Sequence, residues 1–148
     1  MSTNSVAGVA GASGAFLSRV LPARGTYIIV LIGRYVKTYA FDDASSAEAF
    51  AISRAGTCDA YFACSSYDAH YTASGQPERK ADYARAQRAL WLDLDCDPAK
   101  AASGNAYADK AAALAALQSF LKATRLPCPL LVDSGHGYHA YWCFDRDV

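Results

Sequence analysis

Apolar residues recur along the chain in two periods. Phe16, Leu17, Val20 and Leu21 have helical spacing and stop at Pro22, which predicts a short helix. Thr26 to Ile32 is a continuous β-branched and aromatic run, the pattern of a buried strand. Gly33-Arg34 breaks it, and Val36 to Phe41 predicts a second strand returning as a hairpin. Ser45-x-x-Glu48 has the form of a capping box and predicts a helix of about ten residues that ends near Gly56. Ala60 to Cys64 predicts a third strand. Residues 67–86 carry Gly75, Pro77 and most of the local charge and predict a long connection of the kind that is often functional. Ala89 to Asp95 predicts a fourth strand, closed by Asp97-Pro98. Tyr107 to Thr124 predicts the clearest helix, with Leu114, Leu117 and Leu121 as its apolar stripe and Pro127 beyond its end. Pro129 to Val132 and Tyr138 to Phe144 predict two more strands around Ser134-Gly135-His136-Gly137. Residues 1–14, rich in Ser, Gly and Ala, have no period and predict a loose tail.

The expected organisation is therefore a tail over 1–14, a strand-strand-helix-strand module over 15–88, and a second module over 89–148. The order strand, helix, strand, strand in the second module is the first part of an RRM-like α+β unit. The helix and strand that would complete such a unit are expected beyond the last residue.

Within Trp91-Leu92-Asp93-Leu94-Asp95, alternate side chains of a strand share a face. Asp93 and Asp95 then point one way, and Leu92 and Leu94 point into the core. Two carboxylates one pleat apart lie roughly 6–7 Å apart at their Cα atoms. Their oxygens can converge on a hard cation. Asp-x-Asp alone also describes an acidic strand end facing solvent. In Ser134-Gly135-His136-Gly137-Tyr138-His139, two glycines allow a tight turn whose N–H groups can cradle phosphate oxygens. His139 falls on the face of Tyr141 and Cys143, and Ala140 and Trp142 fall on the other. If the two strands are neighbours, Asp93, Asp95 and His139 share the open face.

Composition narrows the picture. The chain has 148 residues, 53% hydrophobic and 19% charged, and suits one modest core rather than disorder. Its formal net charge is +0, so attraction to nucleic acid has to come from a local patch. Arg79, Lys80, Arg85 and Arg88 offer one, with a solvated loop as the equal alternative. The 5 cysteines include no C-x-x-C pair. Cys58, Cys64 and His70 as a zinc site is the weaker reading against small apolar residues beside a strand. No apolar run is long enough to span a bilayer. A reducing cytoplasm, of a cell or a virus-infected host, is the expected compartment.

Taken together, the two motifs resemble those of the archaeo-eukaryotic primase superfamily, above all its phage- and plasmid-encoded members. These carry a hydrophobic-D-hydrophobic-D/E strand, a helix, then a serine-glycine turn leading to a histidine on the next strand. Asp93 and Asp95 match the first motif, and Ser134, Gly135, Gly137 and His139 match the second. Lys100 and Tyr107 sit in the lysine and tyrosine region between them. The resemblance implies a primase-polymerase using two-metal-ion catalysis. Asp93 and Asp95 would hold Mg2+ or Mn2+, with Asp93, Asp95 and His139 as the catalytic set. Ser134, Gly135, Gly137 and His139, with Arg79 and Lys80, would bind the nucleotide. It implies nucleoside triphosphates and a single-stranded DNA template as partners, and a replicative helicase beside them. The family's third carboxylate, on a later strand, has no counterpart here, and Asp145 and Asp147 follow the histidine too closely to replace it. An inactive RRM-like nucleic-acid-binding or replication-initiation module is the alternative. A D-x-D glycosyltransferase fits less well, because it needs a parallel nucleotide-binding sheet.

Overall fold

The computed structural model describes residues 16–54 and 56–148, so the tail expected over 1–14 lies outside it. The protein is a mixed α+β chain whose strands pair antiparallel in its sheets. It divides into two compact units, one running to Gln87 and including Val148, the other Arg88–Asp147.

The first unit is built on β1 (Tyr27–Ile32), the central strand between β2 (Val36–Phe41) and β3 (Asp59–Phe62). β1 can be apolar throughout because both its faces are covered. Tyr27, Ile29 and Leu31 pack with Leu17 and Leu21, from and just after α1 (Phe16–Val20), and with Ala47 of α2 (Ala44–Arg54). Ile28 and Val30 pack with Ala63 and Tyr67 on the other face. The cap of α2 is Asp43, not Ser45: its carboxylate accepts the Ser46 N–H at 2.7 Å. Glu48 does not reach back to Ser45. It is 7% exposed, and its Oε2 accepts the Leu17 N–H at 3.3 Å, in the first turn of α1.

The connection over 67–86 is not structureless. β4 (Ser65–Tyr67) pairs with β5 (Ala84–Gln87). Between them the backbone stays paired: Asp68 N–H to Tyr83 O, Glu78 N–H to His70 O and Thr72 N–H to Gln76 O, each 2.8–2.9 Å. A short 3-10 turn, Ala81–Tyr83, leads into β5.

The second unit is a three-stranded sheet ordered β6 (Ala89–Asp95), β8 (Gly137–Cys143), β7 (Leu130–Asp133). A four-residue helix α3 (Pro98–Ala101) and the long helix α4 (Lys110–Thr124) connect β6 to β7. α4 begins three residues later than its apolar period suggested, because the Asp109 carboxylate caps it by accepting the Ala112 N–H at 2.7 Å. Its buried stripe is Ala113 and Leu117 with Leu121 packed beside them, and Leu114 falls outside this cluster. These residues cover Leu94, Ala140 and Trp142, and the Trp142 indole N–H donates to Pro127 O at 2.8 Å. Leu92 lies on the same face by register but is 40% exposed, because β6 is an edge strand. β8 is the central strand of this sheet and is paired on both sides. Among the described residues no helix is long and apolar enough to cross a membrane.

Candidate functional site

The register of β6 against β8 sets the site. Asp93 stands opposite His139 and Asp95 opposite Gly137, while Leu92 faces Ala140 and Leu94 faces Tyr138. Paired residues of an antiparallel ladder share a face. The helix α4 therefore covers Leu94, Ala140 and Trp142, and Asp93, Asp95 and His139 share the opposite face. Trp142 is 9% exposed, so the phase of β8 is the one its alternation predicts.

On that face, Nε2 of His139 lies 3.6 Å from Oδ1 of Asp93. The Tyr141 hydroxyl stands 3.5 Å from Nδ1 of the same ring, whose partner it can be in either tautomer. Tyr141 is buried and His139 only half-buried, so the ring is held from its buried side and open toward Asp93. Asp93 and Asp95 are exposed and border a cavity of about 320 Å³. Its other walls are Gly104, Asn105, Ala106 and Tyr107. This segment is fixed to the end of β6: the Tyr107 N–H donates to Asp95 O at 2.8 Å, and the Asp97 N–H donates to Tyr107 O at 2.9 Å. The sequence marks Tyr107 but not Gly104 or Asn105, whose approach depends on a turn with no apolar period.

The Ser134–Gly137 turn closes with the Ser134 N–H on Gly137 O at 3.1 Å. Gly135 takes φ 88°, a left-handed conformation that favours glycine. Its N–H is already engaged by Oδ1 of Asp133 at 2.8 Å. Asp133 also accepts from Nζ of Lys110 at 2.7 Å, and that ammonium holds the carboxyl below its usual range. Asp133 is paired with Tyr138, on the side covered by α4. This part of the turn is thus tied to the helix rather than aimed at Asp93. Gly137 is needed for a different reason: a Cβ there would overlap the Leu94 carbonyl oxygen of β6. Its absence lets β8 close onto the aspartate strand.

Other sequence-marked residues separate from this constellation. Asp97 does not join the acidic face. It caps α3 by accepting the Ala99 N–H at 2.9 Å and pairs with Lys100 at 3.2 Å, and its pKa is lowered, first by Lys100. Lys80 pairs with Glu78 at 2.6 Å, Arg85 with Asp68, and Arg88 with Asp147 at 3.9 Å. Three of the four cations of the basic run thus face carboxylates of their own unit, which weakens the run as a phosphate-binding patch. Arg79 lies just before the 3-10 turn. Among the described residues no three His, Cys, Asp or Glu side chains converge as metal ligands. This holds for Cys58, Cys64 and His70 too, and burial pushes the Cys64 thiol up to about 11, which keeps it protonated near neutral pH.

Comparison with protein-family models, with curated proteins and with solved structures gave no match.

Proposed function

We propose that the protein is a template-dependent nucleotidyltransferase of the primase-polymerase type. The observation that carries this reading is one face of one sheet. Asp93 and Asp95 stand there beside His139 and border a cavity, on strands joined through a helix and a serine-glycine turn. Three strands in the order β6-β8-β7, with α4 on the face opposite the aspartates, also agree with an RRM-like catalytic unit.

The donor set suits a hard divalent cation. Mg2+ keeps several waters and is commonly held by one or two carboxylates together with substrate phosphates. Asp93 and Asp95 would hold Mg2+ or Mn2+. Such an ion, when bound, acidifies an attacking 3′-hydroxyl and neutralises triphosphate charge. The chain's own residues have simpler tasks. The two aspartates fix the acidic pole of the site. His139, backed by Tyr141, presents Nε2 beside Asp93, where it can donate to a phosphate oxygen of an incoming nucleotide. Ser134 offers a hydroxyl at the mouth of the turn, and the backbone of Gly135 and Gly137 shapes that turn. Nucleoside triphosphates and a single-stranded DNA template are the proposed partners, with a replicative helicase as an associated one.

Trp91 favours a second reading. It lies on the aspartate face of β6 and is 46% exposed, so it can stack a base in a binding module that does no chemistry. One experiment separates the two. Primer extension on a single-stranded template with Mn2+ or Mg2+ should give products that Asp93→Asn abolishes, while the variant keeps its fold. Template binding without incorporation, unaltered by Asp93→Asn, would favour the binding module instead.

A further inference from the structure

β8 ends in Cys143, at the end of the sheet farther from Asp95. The ladder between β7 and β8 pairs Leu130 with Tyr141 and Val132 with His139. Carried two residues past Leu130, the same register sets Cys128 opposite Cys143. A period of two then puts both cysteines on the face of Tyr141 and His139. Both are exposed, and both are free thiols.

The chain does not leave β8 where the ladder stops. The Trp142 indole N–H donates to Pro127 O at 2.8 Å, one residue before Cys128. Cys128 is thus bracketed by two links to β8, one at Pro127 and one at Leu130. Directly opposed residues of an antiparallel pair have Cα atoms about 4.5–5.5 Å apart, and a disulfide spans about 4.4–6.8 Å. The remaining cysteine of this unit does not compete. The Cys96 N–H donates to His136 O at 2.8 Å, before the other end of the 7-residue strand. That end is roughly 20 Å from Cys143 at the rise of an extended chain.

We propose that Cys128 and Cys143 are a redox-active pair, which closes into an intramolecular disulfide on meeting an oxidised small-molecule disulfide of the glutathione class. The Cys143 thiolate attacks one sulfur of that reagent, forming a mixed disulfide and releasing one small thiolate. The Cys128 thiolate then attacks Sγ of Cys143, forming the Cys128–Cys143 bond and releasing the second. Two protein thiols are oxidised, one reagent disulfide is reduced to two thiols, and the two protons pass to the released thiolates. The bond ties the segment between α4 and β7 to the end of β8. It encloses the Ser134–Gly137 turn and His139 in one covalent loop. Cys143 lies roughly 14 Å along the strand from His139, so the bond forms without touching the aspartate site. Its chemistry is independent of the nucleotidyltransferase reading.

The test uses the full folded chain, incubated with a mixture of glutathione disulfide and glutathione, quenched with acid, alkylated with N-ethylmaleimide and cut with trypsin. No Lys or Arg lies between Arg125 and Arg146, so one peptide, residues 126–146, holds Cys128 and Cys143 and no other cysteine. In most of the oxidised chain this peptide should be unalkylated and lighter by two hydrogens, and dithiothreitol should return it to the doubly alkylated form. Cys128→Ser should instead carry glutathione on Cys143. The oxidised parent should also have a higher urea midpoint than the reduced parent, because the loop stays closed in its unfolded chain. Oxidised and reduced Cys128→Ser should unfold alike. A peptide that stays doubly alkylated, carries glutathione on both cysteines, or is linked to a second chain would overturn the pair. So would an internal bond that leaves the midpoint no higher, since the strands would then have to part for it to form.

Discussion

His139 is held on one side and open on the other. Tyr141 is buried behind Nδ1, and Nε2 looks across 3.6 Å toward Asp93. That distance is too long for a good hydrogen bond, so an Nε2 proton can still be given to an incoming oxygen. His139→Ala should therefore weaken nucleoside triphosphate binding by about 1.5–3 kcal/mol, the worth of a hydrogen bond to a charged group. Mn2+ affinity should change by less than about twofold, since the aspartates keep their places. Fluorescence titration with a labelled nucleotide, run beside an Mn2+ titration, checks both. Loss of Mn2+ binding in this variant would make His139 a ligand and not a phosphate contact. At this scale the site was legible strand by strand: a period of two puts Asp93 and Asp95 on one face of β6 and His139 on one face of β8, and the pairing of the two strands is what joins those faces. Glu48 was not legible. Its spacing from Ser45 fits a capping box, but Asp43 two residues earlier takes the cap, and the Leu17 N–H of α1 draws the glutamate inward. Sequence spacing cannot report a helix brought in from 31 residues away.

At the scale of elements, strands with strong apolar runs were legible and short polar ones were not. β1 and β6 follow from their composition, whereas Ser65–Tyr67 is short and polar and Ala84–Gln87 alternates only alanine with Arg85 and Gln87, so neither carries a strong apolar signal and their pairing is visible only in the structure. The Ser134–Gly137 turn was legible as a turn, but its two glycines do different work. Gly135 adopts a positive φ with nothing within 4 Å of a would-be Cβ, whereas at Gly137 a Cβ would overlap the Leu94 carbonyl. Backbone cannot give way as a flexible side chain can, so Gly137→Ala should cost about 1–3 kcal/mol. Gly135→Ala should cost about 1 kcal/mol, from the left-handed backbone alone. Both tryptophans, Trp91 and Trp142, belong to β6 and β8, so their fluorescence in a urea titration reports this sheet directly. A Gly137→Ala midpoint no lower than that of Gly135→Ala would mean that the strands part without cost, and the close approach would lose its role.

At the scale of the whole molecule, strand order is what the sequence withheld. Both strands of the Ser134 hairpin could be read, but not which of them lies inside the sheet. β8 is enclosed between two edge strands, and the longer of these is β6, whose ladder among the described residues is with β8, with Cys96 just past its end bridging Tyr107. Along that edge Leu90 and Leu92 are 53% and 40% exposed beside the half-exposed Trp91. An apolar edge strand is a template for pairing with another chain, and a net charge of +0 supplies no long-range repulsion against it. The full chain should therefore self-associate as its concentration rises. Lysine is a common blunting residue on such edges, so Leu90→Lys with Leu92→Lys should keep the chain monomeric at concentrations where the parent associates. Adding two charges elsewhere, by Ala111→Lys and Ala115→Lys on the exposed side of α4, separates edge blocking from net charge. Sedimentation velocity across a concentration series reads all three proteins. Association relieved by the edge pair alone locates the contact at β6. Relief by either pair would assign the effect to charge, and a parent chain that stays monomeric throughout would show that this edge is not adhesive.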